Sequence, residues 1–167
     1  MATLHIIEGP VGAGKTTYAI GLGRELGTPP LVLDAWMVNL FQADRPETGL
    51  WPWYAERKAR CVVQIMDLAR SMLDHGQDAI VEIGLLKVAD RMALYAELET
   101  QDRPYQVHVL DAPRQDRRDR VAKRNAERGE TYAMQVSPVV FAMAPDMWEP
   151  VGAAERQGRG ERFRFKP

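Results

Sequence analysis

Gly9-Pro10-Val11-Gly12-Ala13-Gly14-Lys15-Thr16 satisfies the pattern G-x-x-x-x-G-K-[ST] at every required position. Before it stands Thr3-Leu4-His5-Ile6-Ile7-Glu8, a short run of β-formers that stops at Gly9. After it, Lys15–Leu26 places Tyr18, Leu22 and Leu26 on one helical stripe. A strand, a glycine-rich turn and a helix in this order form a cradle for polyphosphate. The glycines let the backbone curl so that successive N–H groups point inward. Lys15 supplies a mobile cation for the β- and γ-phosphates, and the Thr16 hydroxyl is a ligand for Mg²⁺. The positive end of the helix dipole faces the same anion. Gly9, Pro10, Val11, Gly12, Ala13, Gly14, Lys15, Thr16 and Thr17 are therefore the expected nucleotide-binding residues, with ATP and Mg²⁺ as cofactors. A purely structural turn has no use for the lysine and the hydroxyl.

Outward from this loop the chain alternates. Gly27 stops the first helix and Pro29-Pro30 prevents its continuation. Leu31-Val32-Leu33 reads as a second strand ending at Asp34. Trp36, Phe41, Trp51, Trp53 and Tyr54 follow, around turn residues at Asp44–Gly49. A long helix is expected from about Ala55 to His75, ended by Gly76. Ala79–Ile83 reads as a third strand, Val88–Glu99 as a helix and Gln106–Leu110 as a fourth strand ending at Asp111. Arg114–Gly129 is a strongly basic helix. Ser137–Met143 has an N-cap serine followed by Pro138, a helix start. Glu161–Phe165 alternates as a last strand would. Strands alternating with helices define an α/β domain with a mainly parallel sheet, one domain over residues 1–167.

The whole chain narrows the function. The 167 residues carry a formal net charge of −1, so no global basic field gathers nucleic acid, which is not an expected partner. The single cysteine, Cys61, excludes an internal disulfide, and its apolar run Cys61–Ile65 reads as a packed thiol in a reducing compartment. The start lacks a basic n-region and no apolar stretch approaches about 18 residues. A cytoplasmic protein without a membrane span is expected. His5, His75 and His108 lack metal-ligand spacing, so no zinc site is expected.

In open parallel sheets, ligands sit at the carboxyl ends of strands. Asp34, Glu82 and Asp111 fall at or near such ends. A carboxylate at Asp34 suits a base toward an attacking hydroxyl, or a cap for a helix starting at Ala35. Glu82, inside an apolar strand, suits either the orientation of a metal's waters or a structural ion pair. Asp111, before Ala112-Pro113, reads as a cap or turn residue. On the basic helix, Arg117, Arg120, Arg124 and Arg128 fall within about 80° of one another. Such crowding fits an anionic partner, with Arg120 and Arg124 as the expected phosphate contacts; the plainer alternative is a solvated face paired with Asp116, Asp119 and Glu127. The aromatic segment Trp36–Tyr54 serves either as an acceptor wall or as helix packing. Arg57 and Lys58 are further candidates for substrate contact.

Four features together resemble a known family. They are Gly9–Thr17, Asp34 closing the second strand, Val81-Glu82-Ile83-Gly84, and Leu110-Asp111-Ala112-Pro113 followed by Arg117-x-x-Arg120-Val121-x-x-Arg124-Asn125. Phe141, Trp148-Glu149-Pro150 and Glu155 add to the likeness. The chain is similar to small P-loop kinases of the nucleoside-monophosphate-kinase-like superfamily, in the AAA-domain or zeta-toxin-like group that includes chloramphenicol phosphotransferase. The resemblance implies a three-layer fold with a five-stranded parallel sheet in the order 2-3-1-4-5 and a short arginine-bearing lid at about residues 124–137. It implies Asp34 as the base toward the acceptor hydroxyl and Arg120 and Arg124 facing the nucleotide phosphates, Arg124 also near adenine. With Lys15 these form the expected catalytic set; Arg117 and Arg124 join the expected nucleotide contacts, and Thr16 and Glu82 make the expected metal site. No D-x-x-G is present for a GTPase switch, and no run ending in paired acids for a motor ATPase.

Three functions stay open at this point. The first is an ATP-dependent kinase transferring the γ-phosphate to a hydroxyl of a small molecule, a metabolite or antibiotic. The second is a kinase of a nucleic-acid 5′-hydroxyl or a sugar nucleotide. The third is a nucleotide-binding switch without an acceptor.

Overall fold

The computed structural model describes residues 1–127 and 147–166. Five strands, β1 (Leu4–Glu8), β2 (Leu31–Val32), β3 (Ala79–Glu82), β4 (Tyr105–Leu110) and β5 (Phe163–Lys166), form one parallel sheet in the order β2-β3-β1-β4-β5. This is the expected order. The helices are α1 (Lys15–Leu26), α2 (Leu33–Phe41), α3 (Leu50–Asp74), α4 (Val88–Thr100), α5 (Arg114–Glu127) and the short α6 (Ala153–Arg156). The expected helix at Ser137–Met143, Phe141, Arg128 and most of the expected lid lie outside the described residues.

Strand periodicity divides the core. Leu4 and Ile6 of β1 face a cluster that holds Ile65 and Ala69 of α3 with Tyr95 and Leu98 of α4. Ile7 faces the other side, against Ala19 of α1, Ile80 and Leu110. The sheet is thus covered on both faces, as parallel sheets require. Each fully buried aliphatic side chain here contributes about 1.5–3 kcal/mol. Because β1 lies between β3 and β4, the connection from β1 to α1 emerges at the point where the strand order reverses, and there the glycine-rich loop sits.

Two boundaries differ from the sequence reading. β2 covers only Leu31–Val32, so Asp34 does not end a strand and does not cap a helix; it occupies the first turn of α2. Leu33 and Met37, one turn apart, both bury against the core, and that contact carries the helix back past Asp34. Helix α3 starts at Leu50 rather than near Ala55. Gly49, at φ 68°, hands the chain into it, and Pro52 falls in the first turn, where a missing N–H costs nothing. Cys61 is a packed thiol in its buried stripe. No helix among the described residues is long and apolar enough to cross a membrane.

Two buried polar clusters lie on opposite faces of the sheet. Under α1, His5 Nδ1 and His108 Nε2 share a hydrogen bond of 3.0 Å, and the Tyr18 hydroxyl meets His108 Nδ1 at 2.8 Å. Burial lowers both imidazole pKa values, that of His108 to about 4, so both stay neutral at physiological pH. On the opposite face, Arg91 is fully buried. Its Nε and Nη2 donate to the Glu155 carboxylate at 2.7 and 2.9 Å, and Nη2 also donates to the Glu149 carbonyl at 2.8 Å. The Trp148 ring lies 4.6 Å from the guanidinium carbon. Arg91 therefore ties the segment around 148–155 to α4. Removing one partner of a buried ion pair leaves an uncompensated charge. Arg91→Met is expected to lower the unfolding free energy by about 3–5 kcal/mol in urea titrations; a loss under about 1 kcal/mol would show that this tie does not hold the fold.

Candidate nucleotide and acceptor site

The loop of residues 9–16 is shaped by three glycines with positive φ, Gly9 at 144°, Gly12 at 81° and Gly14 at 90°. Space forces two of them. A Cβ on Gly9 would stand 2.2 Å from the Leu110 carbonyl oxygen, and one on Gly12 would stand 2.6 Å from the Arg117 carbonyl oxygen. The Ala13 N–H donates to the Pro10 carbonyl at 3.3 Å, closing the turn. Helix α1 then begins at Lys15, so its free N-terminal amides open into the loop.

Lys15 Nζ donates to the Pro10 carbonyl at 3.0 Å. Burial pushes its pKa down, Glu82 and Asp34 push it back up, and Arg124 and Arg117 push it down again. Thr16 Oγ1 donates to Glu82 Oε2 at 2.9 Å. The Glu82 carboxyl is raised by burial, against the pull of Lys15, the Thr16 hydroxyl and Arg124. Glu82, at the end of β3, and Thr16, at the start of α1, thus meet beside the lysine.

The arginine face of α5 turns toward the loop. Arg117 is buried; its Nε donates to the Ala112 carbonyl at 3.0 Å and its Nη1 to the Val11 carbonyl at 3.3 Å. Those bonds brace the outside of the loop. Arg120 donates Nη1 to the Ala13 carbonyl at 3.4 Å and stands above Gly14. Arg124 acts electrostatically on both Lys15 and Glu82, and its buried Nε has no acceptor among the described residues. A buried donor without an acceptor costs about 1–3 kcal/mol. An anion above the loop would relieve both this and the crowding of Lys15 by arginines. Asp34 is exposed and lies on the β2 side of Glu82, within electrostatic reach of both Lys15 and Glu82. Asp111 is exposed and accepts the Ala112 N–H at 2.8 Å, a turn contact. Of the aromatic segment, Trp36, Phe41 and Tyr54 pack partly buried against the core, while Trp51 is exposed.

One participant was not foreseen. Glu8, the last residue of β1 and the neighbour of Gly9, is buried, accepts the Tyr95 hydroxyl at 2.7 Å and lies 3.6 Å from Arg91, which already serves Glu155. Two carboxylates share one guanidinium. Burial first, then the Glu155 charge, raise the Glu8 pKa against Tyr95 and Arg91, to about 8. The only signal in the sequence was a glutamate at the end of an apolar strand.

A five-stranded parallel sheet in this order, with this loop at the end of its central strand, defines a P-loop protein of the kinase-like type. The profile of the family described as AAA domain matches residues 4–139, and the chain belongs to that family. No protein of curated function matches the sequence. Among solved structures, the chain is similar to a sugar kinase from Janibacter sp. HTCC2649, with 20% identity and a TM-score of 0.59 over 99% of this chain and 84% of that one. It is similar to a gluconokinase from Sinorhizobium meliloti 1021, with 16% identity and a TM-score of 0.53 over 98% and 81%. It is also similar to Chaetomium thermophilum Kti12, solved with ADP-AlF3, with 15% identity and a TM-score of 0.63 over 98% and 88%.

Two outcomes test this arrangement. Gly12→Ala must push the start of α5 away and strain the loop. A nucleotide affinity at least about tenfold weaker is expected by fluorescent-ADP titration, and unchanged affinity would refute the tight packing of loop against helix. For Glu8, the folded pKa lies above the ordinary 4.5, so its contribution to stability is complete below 4.5 and is lost as pH rises through about 8. The urea midpoint should fall from about pH 6.5 to about pH 8 and level off above that in the wild type, and hold steady over the same range in Glu8→Gln; equal falls in both would remove Glu8 as the cause.

Proposed function

We propose that this protein is an ATP-dependent kinase that transfers the γ-phosphate to a hydroxyl of a small molecule. The observation that carries the reading is that two carboxylates, the buried Glu82 and the exposed Asp34, both lie within electrostatic reach of Lys15. Glu82 is hydrogen-bonded to the Thr16 hydroxyl, whereas Asp34 is exposed. A pure switch needs the first carboxylate but has no use for the second.

The oxygen donors Thr16 and Glu82 suit Mg²⁺, which takes phosphate oxygens and keeps several waters. When bound, the ion neutralises charge on the β- and γ-phosphate oxygens. The chain's own groups do the rest. The loop amides and Lys15 hold the polyphosphate. Asp34 accepts the proton of the acceptor hydroxyl as its oxygen forms a bond to the γ-phosphorus and the bond from γ-phosphorus to the bridging oxygen breaks. Arg120 and Arg124 stabilise the charge that develops on the transferring group. Arg117 keeps the loop in shape. The likeness to a sugar kinase and a gluconokinase supports a hydroxyl acceptor. The likeness to Kti12 solved with ADP-AlF3 favours a second reading, a nucleotide-dependent module. We place the protein in the cytoplasm.

Asp34→Asn separates the readings. Nucleotide affinity should be unchanged, while transfer to the acceptor, followed by ³¹P NMR of the product, should fall about 10²–10⁴-fold. Unchanged turnover would remove Asp34 from the chemistry, and hydrolysis insensitive to every added alcohol would favour the module.

A further inference from the structure

The acceptor corner lies over β2 and β3, and its charge pattern says something about the acceptor. Val32 pairs with Glu82, so Asp34, in the first turn of α2, and Gly84 both follow directly on the carboxyl ends of β2 and β3. Helix α3 packs against β3 and α2. On it, Tyr54 and Lys58 are four residues apart and so share one face. The Tyr54 hydroxyl is pushed up to about 12, first by burial and then by the Asp34 carboxylate, which puts the two side chains within electrostatic reach. Lys58 Nζ donates to the Gly84 carbonyl at 3.4 Å. The corner therefore holds a carboxylate, a phenol and an ammonium. Arg57 is turned aside, its guanidinium carbon 4.6 Å from the Trp53 ring and 5.7 Å from the Phe41 ring.

Lys58 stands out against the other cations of α3. Arg57, Arg60 and Arg70 each have a carboxylate within 4.0 Å. Lys58 is half-buried, and among the described residues no carboxylate pairs with it. Its one bond is long for N–H···O, and an ammonium carries three donors. A partly desolvated cation is costly unless it meets a negative charge, and a neutral donor would serve the Gly84 carbonyl equally well.

We propose that Lys58 binds an anionic group, a carboxylate or a phosphate, carried by the hydroxylated acceptor. This rests on the kinase reading of the same site. Asp34 takes the reacting hydroxyl, Tyr54 bonds the oxygen between, and Lys58 fixes the far end of the molecule. The substrate class is then hydroxy acids or phosphorylated polyols rather than neutral sugars. Lys58 determines specificity and takes no part in the transfer step.

The test uses the full-length protein with saturating ADP and Mg²⁺, in thermal-shift titrations with two matched sets: glycerol, glycerate and glycerol phosphate; sorbitol, gluconate and sorbitol phosphate. At least one anionic member should raise the melting temperature and bind about 10- to 100-fold more tightly than its neutral partner. The acid and phosphate arms tell which anion is used. Lys58→Met should abolish that preference without changing ADP affinity, and Lys58→Arg should restore part of it. The proposal is overturned if no anionic member binds, if neutral partners bind equally, or if Lys58→Met leaves the preference intact. The same mixtures, run with ATP and read by ³¹P NMR, keep the two claims apart. An anion that binds through Lys58 but yields no product contradicts the kinase reading alone, and a neutral member phosphorylated as well as its anionic partners contradicts the Lys58 proposal alone.

Discussion

Leu110, at the end of β4, leaves its carbonyl oxygen so close to Gly9 that no side chain fits between them. The Arg117 carbonyl does the same to Gly12. This closeness is the constraint on which the site depends. It presses the loop after β1 between the end of β4 and the start of α5, so the loop has one shape, with its amides and the N-terminus of α1 turned to a common centre. Arg117 adds side-chain bonds to the same clamp. Lys15, Thr16 and Glu82 then fall into place because the sheet holds β1 and β3 side by side.

Charge in this centre is arranged to receive a negative partner. Lys15 is partly desolvated and faces arginines as well as carboxylates, and Arg124 keeps a buried donor without an acceptor among the described residues. A polyphosphate supplies what each lacks, so nucleotide affinity follows from this electrostatic imbalance. Asp34 differs in kind. It is exposed, within electrostatic reach of Lys15, and on the proposed reading it receives the acceptor hydroxyl. The division between a buried carboxylate bonded to Thr16 and an open one near an acceptor is what turns a binding loop into a proposed transferase.

How much of this was readable in the chain depends on the range over which each signal acts. The loop and α1 were legible residue for residue, because strand, glycines, lysine and helix are contiguous and each has a local cause. The arginine face of α5 was legible for the same reason: helical periodicity alone aligns Arg117, Arg120 and Arg124. Asp34 was placed at the right corner but in the wrong element, since the burial of Leu33 and Met37 against the core, a tertiary effect, decides where α2 begins. The start of α3 falls at Leu50 rather than near Ala55 because Gly49 turns the chain into the helix and Pro52 fits its first turn, a placement that local pattern alone does not fix. The cluster of Glu8, Arg91, Tyr95 and Glu155 left no pattern, because its members meet across as many as 147 positions of sequence.

Isothermal titration of the wild-type protein with ADP, with Mg²⁺ present, probes the central claim without any assumption about the acceptor. A single saturable site of about one nucleotide per chain, lost when Lys15 is replaced by Met, is the result the account predicts. No heat of binding from either ADP or ATP, or binding that survives the loss of Lys15 undiminished, would contradict it.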